Sequence, residues 1–360
     1  MYIKNISLQY FRNYENLNME FSPKLNILYG DNAQGKTNVL EAVYMSAMGR
    51  SQRTSKDKEI IKLDKEEAHI QVFVVEDNGE SENRIDVHLK KNGKKGIAVN
   101  SVVVKKLGEL FGRIYIVIFS PEDLQLIKSG PSERRKFVDM ELCQLNKIYY
   151  YDLQQYYKIL KQRNNLLKTI QKTPNLKDTL FVWDSQLITY AKKIIASRKA
   201  FIEKVRKIAS GIHFNITGGA EKLDIEYTPN ANEDEMELKL KKHLEKDIFF
   251  GNTSVGPHKD DLNFYINGND VKVYGSQGQQ RTAALSAKLA EIELIKEEKA
   301  VNPILLLDDV LSELDENRQM YLLDNISDIQ TILTCTGIED SIKKYADKAK
   351  IYNIRQGNFI

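Results

Sequence analysis

The chain is poor in the residues on which disulfide-stapled or metal-stapled folds depend. Its 360 residues include two cysteines, Cys143 and Cys335, which excludes a disulfide framework or a Cys-rich zinc site and suits a reducing cytosol. The five histidines show no metal-ligand spacing along the chain. No apolar run approaches the ~20 residues of a membrane span. The longest strongly apolar runs are Ile114–Phe119 and Ile304–Leu307, and residues 1–13 lack the apolar core of a signal peptide. Glycine is missing between Gly130 and Gly211. These absences lead us to expect a soluble, cytoplasmic protein with no membrane partner. At about 150 residues per domain, the length suggests two domains.

Charge is nearly balanced, at +3 net, but unevenly spread. Between Lys147 and Lys207 there are 14 Lys/Arg against 4 Asp/Glu, so this stretch carries +10 and the remainder −7. A basic segment on a mildly acidic body makes polyanions its natural partners.

Hydrophobic periodicity predicts short strands at Ile3–Leu8, Leu17–Phe21 and Leu25–Tyr29, then a helix over Lys36–Met48. Ile70–Val75 and Arg84–Leu89 alternate about the turn Asp77-Asn78-Gly79, and Ile97–Val99 extends them into an antiparallel meander. Arg113–Phe119 reads as a buried strand. Apolar residues then recur in steps of three or four: Tyr149, Leu153, Tyr156, Leu160, Leu167 and Ile170, skipping Arg163. A second series runs Leu187, Ala191, Ile194, Phe201, Val205 and Ile208, skipping Arg198. Two antiparallel helices of more than 20 residues are expected. Strands return at Leu223–Tyr227, Leu262–Ile266 and Val271–Tyr274, followed by a helix from Gly278 to Lys299. Buried strands at Ile304–Leu307 and Thr331–Thr334 flank a helix over Asp315–Leu323, and Ile351–Asn358 closes the chain.

Three motifs carry chemistry. Gly30-Asp31-Asn32-Ala33-Gln34-Gly35-Lys36-Thr37 fits the phosphate-binding pattern G-x-x-x-x-G-K-[ST] and lies between a strand and a helix. Its glycines let backbone N–H groups face phosphate oxygens at a helix N-terminus. Lys36 is placed for the β- and γ-phosphates and Thr37 for Mg²⁺. Ile304–Leu307 followed by Asp308-Asp309 has the Walker B arrangement, with Asp308 as metal ligand and Asp309 positioned to polarise the attacking water. Ser276-Gln277-Gly278-Gln279 opens the long helix ahead of that strand, about where ABC-type ATPases carry their signature. Ser312-Glu313-Leu314-Asp315 stands where their D-loop would be.

These motifs, together with Tyr10–Tyr14, Phe119–Leu124, Gly130–Arg135 and Gly256–Asp261, occur in an order that resembles the RecF family of SMC-related ATPases over nearly the full chain. The resemblance implies an α/β, ABC-type P-loop head, with a mixed sheet plus an antiparallel β meander and an inserted helical second lobe. Residues 1–125 and 211–360 are expected in the ATPase lobe and 126–210 in the helical lobe, with packing of the signature helix against the helical lobe as the alternative. It implies ATP and Mg²⁺ as cofactors, an ATP-dependent homodimer, and Arg12 and Asn13 near the nucleotide. In that family the signature of one subunit contacts the nucleotide on the P-loop of its mate. It further implies binding to gapped DNA, roles in replication, repair and the SOS response, and recombinase loading with RecR and RecO. Relative to ABC ATPases in general, Asp309 replaces a glutamate, and Cys335-Thr336 follows the next strand where a switch histidine would stand. A slow, DNA-dependent ATPase acting as a timer is the expectation.

For DNA, the basic helices offer Lys192, Lys193, Arg198 and Lys199, whose polar face can track a phosphate backbone. The tyrosines of Tyr149–Tyr157 read mainly as core. His258 reads as part of a polar turn. Two other classes stay open: the energising subunit of a transporter, and an ATPase head driving a separate nuclease.

Overall fold

The computed structural model describes residues 1–76, 79, 81–337, 349–355 and 358–359. Of the expected Asp77-Asn78-Gly79 turn, Asp77 and Asn78 lie outside the described residues, as do Gln356 and Gly357 of the closing strand. The chain divides into two compact units, Met1–Asp123 with Glu291–Ile360, and Leu124–Ala290.

In chain order the first unit begins with strands β1 (Tyr2–Gln9), β2 (Asn16–Glu20) and β3 (Leu25–Tyr29), then helix α1 (Lys36–Met48). There follow β4 (Glu67–Val75), β5 (Glu82–Lys90), β6 (Gly96–Val99), β7 (Val102–Val103) and β8 (Ile116–Phe119). The second unit contains α2 (Gln125–Lys128), α3 (Pro131–Leu145), α4 (Lys147–Ile170), α5 (Leu180–Ile216), β9 (Leu223–Thr228), α6 (Met236–Lys242) and α7 (Leu244–Phe250). It continues through β10 (Asp261–Ile266), β11 (Asn269–Asp270) and α8 (Val271–Tyr274) into α9 (Gln277–Lys299), which ends in the first unit. The first unit then closes with β12 (Ile304–Asp308), α10 (Glu316–Asn325), β13 (Thr331–Cys335), β14 (Lys350–Arg355) and β15 (Asn358–Phe359).

Two sheets build the first unit. One is an antiparallel meander in the order β2-β1-β4-β5-β6-β7. The other runs β15-β14-β3-β13-β12-β8 and is parallel except for β15. β12 is buried along its length, which explains its unbroken apolar run. Helix α1 packs against strands of both sheets, and only Thr37 and Asn38 of its residues escape burial. A helix covered on two sides needs no polar face, so its apolar pattern is nearly continuous. Along β4 the inward residues Ala68, Ile70, Val72 and Val74 are buried, and the alternate residues Glu67, His69, Gln71 and Phe73 are more exposed. Register sets His69 of β4 opposite His88 of β5, so two of the five scattered histidines are neighbours after all.

The second unit is built on the helical hairpin α4–α5, joined through Pro174–Thr179. This unit runs on past residue 211 to Ala290. The reason is packing, since α5 lies against β9, β9 pairs with β10, and Arg134 of α3 holds Asp261 of β10 at 2.6 and 2.9 Å. Val271–Tyr274 is corrected, from strand to a single helical turn. Asp270 caps it by accepting the Lys272 N–H, and only Val271 is buried.

Both positions skipped in the helical apolar series are buried arginines. Arg163 donates to Asp184 at 2.6 Å and to Asp247 and Thr253 at 2.9 Å. Arg198, 1% exposed, donates to Asp139, Asp260 and the Pro257 carbonyl. The DNA-facing expectation for Arg198 is therefore wrong: its guanidinium is an internal counter-ion for two carboxylates.

Candidate nucleotide site

In the parallel sheet β13 lies between β3 and β12, so the carboxyl ends of all three strands are adjacent. Such ends are where open α/β sheets bind ligands. The loop leaving β3 has left-handed backbone at Gly30 (φ 149°), Ala33 (φ 63°) and Gly35 (φ 114°). Left-handed residues of this kind let a loop curl so that successive N–H groups can form an anion nest. Close approach also demands the glycines. A Cβ on Gly30 would sit 2.3 Å from the Ile354 carbonyl oxygen of β14, and one on Gly35 would sit 2.6 Å from Asn13 Nδ2. Asp31, Asn32 and Ala33 are exposed at the rim, and Gln34 is half-buried. Gly35 leaves the first turn of α1 without a side-chain cap or an acidic residue, so its N–H groups remain suited to an anion.

The segment before β2 clamps this loop. Asn13 Nδ2 donates to the Gln34 carbonyl at 2.9 Å, and its Oδ1 accepts from Asn38 at 2.8 Å. The buried Tyr14 hydroxyl donates to the Gly35 carbonyl, and burial raises its pKa, which keeps it a donor. Arg12 makes a two-pronged pair with Glu41 at 2.9 and 2.6 Å and donates to the Glu59 carbonyl. Glu41 lies fully buried on α1 and also accepts from Ser51 and Arg53. Arg12 thus acts on the loop through α1.

Lys36 donates to the carbonyls of Gly30 and Asp31 at 2.6 and 2.8 Å, arching its ammonium over the loop. Thr37 Oγ1 donates to Asp308 Oδ1 at 2.8 Å. Thr334, at the end of β13, donates to the same oxygen at 2.8 Å and accepts the Asp309 N–H at 3.0 Å. Asp309 itself holds a left-handed φ of 54°, a conformation costly for most side chains and concentrated at functional sites. Ser312 returns a hydrogen bond to the Asp309 carbonyl, and Asp315 caps α10. A hydroxyl and a carboxylate make a hard oxygen pair, the donor type Mg²⁺ takes. Thr334 escaped the sequence reading because only strand order places it between the two motifs.

Gly30–Thr37, Arg12, Asn13, Asp308 and Asp309 come together in the first unit. Ser276–Gln279 belongs to the second. There Ser276 N–H donates to Gln279 Oε1 at 2.9 Å and Gln279 N–H to Ser276 Oγ at 3.2 Å, a reciprocal capping box. Ser276 and Gln277 are exposed. The Gln279 amide also donates to Glu221 at 2.9 Å, and Glu221 lies 3.1 Å from Nε2 of the buried His213 in the last turn of α5. Neither Glu221 nor His213 carries a local signal in the sequence.

Lys192, Lys193 and Lys199 are exposed along α5, with Lys193 3.6 Å from Asp152. Tyr149 and Tyr156 are core, as their spacing suggests, while Tyr151 and Tyr157 are exposed. His258 has both ring nitrogens engaged. Nε2 donates to the Thr253 carbonyl at 2.9 Å, and Nδ1 accepts from the Tyr156 hydroxyl at 2.6 Å. Burial, aided by Lys259 and Arg135, lowers its pKa to about 4, so the ring is neutral at pH 7.

A family model described as the RecF/RecN/SMC N-terminal domain matches residues 2–358. The chain is 55% identical over 357 residues to the DNA replication and repair protein RecF of Lachnoclostridium phytofermentans, covering 99% of each chain. It is 52% identical to that of Agathobacter rectalis, covering 99% of this chain and 98% of the relative. Among solved structures, the recombination mediator protein RecF with ATP, in the RecFOR pathway, superposes with a TM-score of 0.92 at 39% identity, covering 100% of this chain and 97% of that one. The head of an Smc protein bound to the C-terminal winged-helix domain of ScpA shares the fold, with a TM-score of 0.60 at 17% identity over 100% of this chain and 96% of that one. Agreement of this extent, reaching from the first strand to the last, makes the chain a member of the RecF family of DNA replication and repair proteins.

Proposed function

We propose that the chain binds Mg²⁺-ATP, closes as a homodimer on gapped DNA, and hydrolyses ATP slowly to let go. One observation carries this reading: the 2.8 Å bond from Thr37 to Asp308 ties the phosphate loop to the Walker B carboxylate. A curled loop, a helix N-terminus, a lysine and a hard oxygen pair then converge on one place.

The residues divide the work. The N–H groups of Gly30–Gly35 and the ammonium of Lys36 bind phosphate oxygens. Thr37 and Asp308 hold Mg²⁺, which when bound neutralises phosphate charge. Thr334 orients Asp308 and fixes the backbone of Asp309, so the Asp309 carboxylate can orient water. Asn13 and Tyr14 hold the loop in shape, and Arg12 holds α1 through Glu41. Ser276-Gln277-Gly278-Gln279 caps the nucleotide of the second copy, its turn pre-formed by the capping box. Lys192, Lys193 and Lys199 face the phosphate backbone of DNA. A relative captured with ATP in the RecFOR pathway supports this assignment and points to RecR and RecO as partners. The shorter second acid, Asp309, favours a timer over a fast engine.

Light scattering and DNA binding with and without ATP test the reading. ATP should give a dimer and tighten DNA binding at least about tenfold, a coupling of ordinary allosteric size. Asp309→Asn should still bind ATP yet stay dimeric for longer. A chain that remains monomeric when saturated, or binds DNA equally in both conditions, overturns it.

A further inference from the structure

The outward face of the meander sheet carries a cluster that the nucleotide chemistry does not use. β4 and β5 are in register with His69 opposite His88, and Glu67, two residues before His69, shares their face. The two imidazoles stack with centroids 4.0 Å apart and planes at 22°. Glu67 Oε2 lies 3.0 Å from His88 Nε2, and Glu67 Oε1 lies 3.9 Å from His69 Nε2. One ligand atom from each residue falls within 4.8 Å of the other two.

We propose that Glu67, His69 and His88 bind one divalent late transition-metal ion, with zinc as the representative, on the open face of the meander. Two nitrogens and one oxygen at about 2.0–2.2 Å from a tetrahedral ion stand about 3.3 Å from one another, so the ligand atoms must close by at most about 1.5 Å to hold it. The side chains are partly exposed, at 50%, 42% and 33% for Glu67, His69 and His88. They therefore have room to turn out of the stack until their in-plane lone pairs converge on one ion, and the ion has an entry path. A groove of mixed polarity, lined by Ser7, Leu8, Gln9, Asn16, Ile70 and Gln71, adjoins His69, and water would complete the four-coordinate shell. Asp86 lines the same groove but is held by Gln71 at 2.9 Å and Arg84 at 2.8 Å, which places it outside the ligand set. Two imidazoles and a carboxylate favour zinc or copper over magnesium, so this site and the oxygen pair at Thr37 and Asp308 select different ions. Its consequence is a clip between β4 and β5 that stabilises the folded chain by mass action.

The test is a zinc titration of tag-free, chelator-treated full-length protein, with Mg²⁺-ATP present to occupy the nucleotide site. Calorimetry should find one zinc per chain, zinc should raise the melting temperature, and Co²⁺ should give the visible bands of a tetrahedral site. His69→Gln/His88→Gln should lower zinc affinity at least about tenfold while ATP binding stays unchanged. If the double variant folds poorly by circular dichroism, Glu67→Gln, at an exposed position, provides the same comparison. The proposal is overturned if about 100 µM zinc leaves the melting temperature unmoved, or if these variants bind zinc as the parent does.

Discussion

Two stretches of this chain look alike on paper. Gly30–Thr37 joins the acidic pair Asp308-Asp309, and Gly256–Asp261 ends in the pair Asp260-Asp261. Each has glycine with positive φ, a basic residue and adjacent carboxylates. The structure gives them opposite destinies. In the first, strained backbone and hydroxyl–carboxylate pairs gather at strand ends, beside the exposed loop residues Asp31, Asn32 and Ala33. In the second, nearly every polar group turns inward. Asp260 takes the Asn230 N–H at 2.8 Å, Arg198 at 3.0 Å and the Tyr227 hydroxyl, while Asp261 takes Arg134. Gly256 is needed because a Cβ there would lie 2.4 Å from the Tyr156 hydroxyl. Polar residues packed into a short motif therefore report function only when the fold leaves them open to a partner.

The contrast makes measurable demands, and the greatest falls on the internal knot. Arg198→Ala strands Asp139 and Asp260, so unfolding in urea should show a loss of about 3–5 kcal/mol. A loss below about 1 kcal/mol would make the knot dispensable. Acid should find the same place. Well above about pH 6.5 His258 is neutral in both states. As pH falls toward about 4, the unfolded chain takes up a proton that the native ring refuses, so stability drops by at most about 3 kcal/mol. His258→Gln, which can donate to Thr253 and accept from Tyr156, should flatten that acid limb in urea titrations at several pH values.

On the open side, Lys36→Ala should weaken ATP binding about 10–100-fold and abolish the DNA response, with the melting temperature kept. Simultaneous loss of fold and binding would erase the distinction between the regions. Thr334→Val keeps shape but removes the hydroxyl shared by Asp308 and Asp309. Steady-state ATP turnover should fall about tenfold, with stability changed by roughly 1 kcal/mol. The smallest stability effect belongs to Lys192, Lys193 and Lys199. Their triple alanine variant should stay within about 0.5 kcal/mol per site. Its DNA binding should nevertheless lose about three units of salt slope if each lysine meets a phosphate. An unchanged slope would remove that face of α5 from the DNA surface.

By itself the sequence determined whatever depends on neighbours along the chain. The strand–loop–helix of Leu25–Met48, the buried strand before Asp308, the long basic hairpin and the Ser276–Gln279 turn were legible because periodicity, glycine placement and capping are local. Tertiary structure alone decided which distant groups meet. Strand order set Thr334 between β3 and β12, register set His69 against His88, and helix packing turned Arg163 and Arg198 from gaps in an apolar pattern into buried counter-ions. A charged residue at a helical core position carries no local mark of its partner. Asp247 and Asp260 lie 84 and 62 residues beyond the arginines they neutralise, and only the closed fold brings them within hydrogen-bonding reach.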